Sequence, residues 1–241
     1  MNQDRIYSMP LNRVGDFEFD DSVADVFPDM IRRSVPGYAS MLSMIAQCAE
    51  LYAVPGTNVY DLGCSLGAGT LLIRQHAKPG CRICAVDNSE SMVTRLAQRL
   101  KQSGDTGDRV DLQQADMRTV KVTNASLVVL NLTLQFLPPE QRDEFIGGIA
   151  VGTLDGGALV LSEKICFDDP AQQELMTKLH HDFKRAHGYS DLEIAQKRTA
   201  IENRLLPETL DAHVSRLKTA GFRTVSPWFQ CFNFASILAV K

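Results

Sequence analysis

The chain has 241 residues, 44% hydrophobic and 22% charged, with a formal net charge of −4. That length suits one α/β domain carrying an elaboration, with ample material for a buried core. The acidic balance excludes a global basic field that gathers nucleic acid. No apolar run matches a signal peptide or a membrane span, so a cytoplasmic protein is expected.

Along the chain, an acidic start gives way to an amphipathic stretch, "VADVFPDMIRRSVPGYASMLSMIAQCAELY". Pro28 and Pro36 are expected to divide it into short helices and a longer one from about Gly37, because proline lacks the N–H that a helix interior needs. Strand-like runs follow at "NVYDLG", "RICAVD", "RVDLQQAD", "SLVVLN" and "GGALVLSE". Helical stretches Thr70–Ala77, Ser89–Gln102 and Pro139–Thr153 lie between them, and this alternation predicts βαβ units with a mainly parallel sheet. Residues 168–206 interrupt the rhythm with two expected helices broken near "HGYS". A helix in "PETLDAHVSRLKTAGF", closed by Gly221, comes next. "RTVSPWFQCFNFASILAVK" then reads as two antiparallel strands turning at Phe232–Asn233. The whole of 1–241 is read as a single domain, with the helical segment 20–53 and the insertion 168–206 as candidate lids.

Six cysteines without a secretory signal point to free thiols in a reducing compartment. Cys81 and Cys84 are three apart in a predicted strand and so face opposite sides of it, which argues for packing and against a metal or redox pair. His180 and His181 are helix neighbours pointing about 100° apart, and cannot both face one metal.

The stretch "VYDLGCSLGAGT" carries the functional signal. A strand ends in Asp61 and breaks into a turn with Gly63, Gly67 and Gly69, where backbone can approach a ligand without a Cβ in the way. The order is D-x-G-x-S-x-G, not the G-x-G-x-x-G that cradles a pyrophosphate. An acid ahead of the first glycine suits a ligand bearing a positive amine. Asp87 ends the second strand, where a carboxylate can accept from two ribose hydroxyls. Together with Asp116 after the third strand and Asn131 at the end of the fourth, the set resembles the class I S-adenosylmethionine (SAM) methyltransferases.

A closer resemblance covers Phe27 to Phe234. "FPDMIRRSVPGY", "YDLGCSLGA", "NLTLQFL", "GGALVLSEK", "HHDFKRAHGYS", "EIAQKR" and "WFQCFNF" together resemble the carboxy-S-adenosyl-L-methionine synthases. The resemblance implies an α/β, Rossmann-like class I methyltransferase fold. Its sheet would be mainly parallel and seven-stranded, with an antiparallel C-terminal hairpin and added helices as a lid. It also implies conversion of SAM and prephenate to carboxy-SAM and phenylpyruvate, by a homodimer without a metal. A separate enzyme would use the product to modify tRNA wobble uridine, so the chain itself would touch neither nucleic acid nor membrane. Tyr38, Gly63, Cys64, Ser65, Asp87, Asn88, Asp116, Met117, Asn131 and Arg198 match the family's ligand contacts, and Arg198 matches the arginine that holds the added carboxylate. On residues alone, Arg198 reads as a solvated helix position pairing with Glu202. Two alternatives stay open at this point: an ordinary small-molecule methyltransferase, and a non-catalytic SAM-binding partner of a tRNA-modifying enzyme.

Overall fold

The computed structural model describes residues 2–104, 109–202 and 204–241; residue 203 of the expected lid stretch therefore lies outside the described residues. Five strands follow in succession: β1 (Asn58–Leu62), β2 (Arg82–Asp87), β3 (Val110–Gln114), β4 (Ala125–Asn131) and β5 (Thr153–Cys166). After them come β6 (Glu208–Thr209), β7 (Thr224–Cys231) and β8 (Phe234–Val240). The main sheet runs β3-β2-β1-β4-β5-β8-β7. It is parallel through β5 and antiparallel where β8 pairs β5 and β7 pairs β8. Seven strands form this path, as expected. The two-residue β6 is an addition, pairing with Ile165 and Cys166 at the end of β5.

The helices are α1 (Asp21–Ser34), α2 (Tyr38–Tyr52), α3 (Ala68–His76), α4 (Glu90–Gln102), α5 (Pro139–Gly152), α6 (Pro170–Ala186), α7 (Asp191–Ile201) and α8 (Leu210–Thr219). Consecutive residues of the central strands are buried on opposite faces, as a sheet covered on both sides requires. Val128, Leu130, Leu159 and Leu161 pack beneath Ile146 of α5 and Leu217 of α8. Leu127, Val129, Ala158 and Val160 pack beneath Ile45 of α2 and Leu96 of α4. Cys81 falls in the second of these clusters and Cys84 in the first, so they do face apart. All six cysteines are free thiols.

The first helix departs from expectation. Pro28 does not divide it; α1 runs through Pro28 from the Asp20 cap, whose Oδ1 accepts from the Val23 N–H at 2.9 Å. One lost backbone hydrogen bond is outweighed because Val23, Ala24 and Met30 are buried against Leu66, Met92 and Ala200. Pro36 does separate α1 from α2. The turn there needs Gly37, at φ +75°, since a Cβ would lie 2.1 Å from the Phe229 ring. At the far side of the sheet the β7–β8 register shifts between Pro227 and Phe229, a bulge in the outermost strand.

Candidate functional site

The carboxyl ends of β1, β2, β3 and β4 open into a cavity of about 1130 Å³. Of the ten residues singled out in the sequence, nine line it: Tyr38, the turn Gly63, Cys64 and Ser65, Asp87 with Asn88, Asp116 with Met117, and Asn131. The tenth does not. Arg198 is exposed on α7, outside the cavity wall. It forms no ion pair with Glu202 among the described residues; the two share only the helical bond from the Glu202 N–H to the Arg198 carbonyl.

The glycine turn is built as much by the chain's own packing as by the need to admit a ligand. Gly63 and Cys64 both donate their N–H to the Val86 carbonyl, at 2.8 and 3.0 Å, and Gly63 has φ +82°. The space a Cβ would take at Gly63 is already filled by Thr133, whose Cγ2 would be 2.3 Å away. At Gly67 the same space is filled by Leu96. Of the three glycines expected to let a ligand approach, Gly63 and Gly69 line the cavity and Gly67 does not. Ser65, a non-glycine residue at φ +49°, is held by its N–H, which donates to Asp87 Oδ2 at 2.8 Å.

Two carboxylates dominate the electrostatics. Asp61 is buried beneath the turn and accepts the Thr70 hydroxyl. Burial, opposed by that bond and reinforced by Asp87, raises its pKa to about 6. Asp87 is also raised by burial, although its Oδ1 accepts from the Ser89 N–H at 2.9 Å. Among the described residues neither has a cationic partner. A buried and a half-buried acid without a cation of their own fit a positively charged ligand. Asn131 Oδ1 is likewise buried without a hydrogen-bond partner. The residues present therefore suit SAM, with its ammonium and sulfonium. Burial drives the Cys64 thiol well above its ordinary range, which removes it as a nucleophile. Arg118 grips both oxygens of Asp116 and holds that carboxyl below its ordinary range.

Several residues of the site were missed in the sequence. Phe19 meets Phe17, Phe27 and Phe136 edge-to-face and closes the cavity from the N-terminal segment. The alternating aromatics in "DFEFD" were the available signal. Glu163 is buried on β5, and its two oxygens accept from the N–H groups of Thr133, Leu134 and Gln135. It fixes the turn that follows Asn131. An acid closing the apolar run "ALVLSE" was the clue to it.

A family model described as a methyltransferase domain matches residues 59–157. A protein of a Shewanella species is 55% identical over 241 residues, covering 100% of this chain and 99% of its own, and is named carboxy-S-adenosyl-L-methionine synthase. One of Trichlorobacter lovleyi with the same name is 54% identical, covering 99% and 98%. This chain belongs to the carboxy-S-adenosyl-L-methionine synthase family.

Solved structures place that family's fold in wider company. An O-methyltransferase family protein from Burkholderia thailandensis superposes with TM-score 0.63 at 21% identity, over 92% of this chain and 60% of that one. The magnesium protoporphyrin IX methyltransferase of Synechocystis, solved with bound SAH, gives 0.61 at 18%, over 94% and 90%. At such identities the likeness concerns the class I methyltransferase fold alone. This chain shares that fold.

Proposed function

We propose that the chain converts SAM and prephenate to carboxy-SAM and phenylpyruvate; the names of its full-length relatives support the product, carboxy-SAM. The observation that carries this reading is the pair of cation-free carboxylates, buried Asp61 and half-buried Asp87, set beside the orphaned Asn131 oxygen in one cavity. Asp87 offers its remaining lone pairs to ribose hydroxyls. Asp61 balances the ligand's positive charge, Met117 and Phe136 flank the adenine, and Asn131 stands by the sulfonium. Prephenate loses its ring carboxyl as carbon dioxide and its ring hydroxyl as hydroxide while the ring aromatises; the hydroxide takes a proton from the SAM methyl to leave as water, and the carbon so deprotonated bonds the carbon dioxide. Arg198, a planar two-pronged donor, holds the transferred carboxyl. The N-terminal segment through Phe19 and the α6–α7 pair act as the cover that excludes water.

The product serves a separate enzyme that carboxymethylates the tRNA wobble uridine, and the chain works in the cytoplasm. It acts as a homodimer. Exposed Leu51 at the end of α2, with Leu175 and Leu192 on the α6–α7 pair, are the apolar candidates for that contact. Among the described residues no group of histidines, cysteines and acids could hold a metal, and no helix is long and apolar enough to cross a membrane.

Arg198 standing outside the cavity wall favours the one competing reading, an ordinary methyltransferase that leaves this arginine unused. Mass spectrometry of the small molecule released from purified protein separates the two. Carboxy-SAM from the wild type and plain SAM from Arg198→Ala are expected. If both release only SAM or its demethylated product, even after prephenate is added, carboxyl transfer is wrong.

A further inference from the structure

A cluster of cations from three elements stands behind the cavity wall, opposite in sign to Asp61 and Asp87; like Arg198, none of them lines the cavity. Ser162 of β5 lies in register with Asn131 of β4. Lys164 is two residues, about 7 Å, further toward the carboxyl end on the same face of the sheet. Its neighbour across the antiparallel pair is Phe234. That ring packs with Tyr38 and Leu132, both in the cavity wall, and meets the His180 ring at 5.1 Å. Phe183 of α6 and His187, which caps that helix, also line the cavity; His181 and Lys184 flank Phe183 in the chain without lining it themselves.

The charges that act on Lys164, Lys184 and His181 are all positive. Lys184 faces Lys197, Lys164 and Arg198; Lys164 faces Arg198; His181 faces Lys184, Arg198, Arg185 and Lys164. Among the described residues the ammonium groups of Lys164 and Lys184 make no hydrogen bond or ion pair. Burial first, and then these neighbours, push Lys184 down to about 7. Crowding like charges at this partly solvent-reached spot costs free energy, and no acidic side chain among the described residues offsets it. An anion bound there does. The cavity also exceeds the roughly 300–1,000 Å³ of a typical small-molecule pocket, so a second molecule has room beside SAM.

Resting on the functional reading above, we propose that Lys164, Lys184 and His181 form the subsite for the side-chain α-keto carboxylate of prephenate. Prephenate carries two carboxylates with different fates. The ring carboxyl leaves and ends on the SAM methyl carbon, where the functional reading above assigns Arg198 as its partner. The side-chain carboxylate stays on phenylpyruvate throughout. It needs a fixed countercharge that holds the substrate while the ring carboxyl departs, and lysine ammonium groups supply several donors for a carboxylate and its adjacent keto oxygen.

The test compares wild type, Lys184→Met, Lys164→Met and Lys184→Arg in steady-state turnover of prephenate, with phenylpyruvate and phenylacetaldehyde as inhibitors. Phenylacetaldehyde has the same ring and lacks the carboxylate. Either methionine variant is expected to raise the KM for prephenate and the inhibition constant of phenylpyruvate together, by roughly 10- to 100-fold. kcat, SAM affinity and inhibition by phenylacetaldehyde should stay within about threefold, and Lys184→Arg should recover most of the loss. Unchanged KM and phenylpyruvate inhibition in both methionine variants would overturn the subsite. So would a loss shared equally by phenylacetaldehyde or by SAM, since the lysines would then not be reading the carboxylate. Two methionine variants are used so that a melting-temperature loss in one leaves the other to decide. If wild type itself fails to turn over prephenate, the functional reading falls and takes the subsite with it; turnover with insensitive variants sinks the subsite alone.

Discussion

The Thr70 hydroxyl donates to Asp61 Oδ2 at 2.6 Å, and through that bond the first turn of α3 is tied to the end of β1 directly beneath the glycine turn. A buried acid so placed must either keep a proton or find a cation. The pKa of about 6 means it does the first in acid and the second near neutrality.

The pH dependence follows from that value, with opposite signs for the free and bound protein. The folded pKa is raised above the unfolded one. This group's contribution to the stability of the free protein is therefore fully present below about pH 4 and is lost as pH rises through about 6. SAM binding needs the ionised form, so the rise in melting temperature caused by SAM should be larger at pH 7.5 than at pH 5.5. Asp61→Asn should flatten that pH dependence and weaken SAM at least tenfold. Thermal melts with and without SAM across this range make the comparison.

Gly63→Ala should cost about 2–4 kcal/mol, from the left-handed backbone and from collision with Thr133. Thr133→Ala removes the two nearest side-chain atoms and should return part of that loss in the double variant. Urea unfolding of both single variants and the double variant measures the coupling. Strict additivity would mean that backbone strain alone is responsible.

Glu163→Ala would leave three buried N–H groups unpaired, and a loss of at least about 3 kcal/mol is expected. Glu163→Gln keeps an acceptor for part of the set and should lose about half as much. Burial raises this carboxyl to about 8 in spite of its three donors. Equilibrium denaturation at pH 7 distinguishes the two variants, and equal losses would argue that shape, not acceptor count, sets the cost.

Asp4 is buried near the start of the chain. It accepts the Tyr189 hydroxyl and lies 3.8 Å from the Lys197 ammonium. Asp4→Ala strands that ammonium, for an expected loss of about 3–5 kcal/mol. Hydrogen exchange should show the loss concentrated in α7 and in the segment that Phe17 ties to Ala200 through a 2.9 Å backbone bond. Uniform acceleration over the sheet would mean the network supports the whole fold, not the α7 region.

What the sequence disclosed was local chemistry. Asp61, Gly63, Asp87 and Asn131 sit at strand ends whose types and order are set by neighbours only a few residues away. Contacts between distant segments were not readable in the same way. Pro28 stays inside α1 because of apolar partners at Leu66, Met92 and Ala200. Fully buried Arg142 bonds the carbonyls of Leu137 and Leu206 together with Glu208, and nothing in "PEQRDEF" announces it. Phe19 is placed in the cavity wall by its three ring contacts and by Ser89, whose hydroxyl donates to its carbonyl at 2.5 Å. Arg198 was chosen by resemblance, and its position outside the wall depends on how α7 docks.

The bulge between Pro227 and Phe229 has a consequence for the protein in concentrated solution. As the last strand of the sheet, β7 turns an unpaired row of backbone groups to the outside. Proline supplies no N–H to that row, and the irregular register keeps it from lying flat. At this edge a second chain therefore finds no regular ladder to extend, and association there is directed toward side-chain surfaces and away from strand addition.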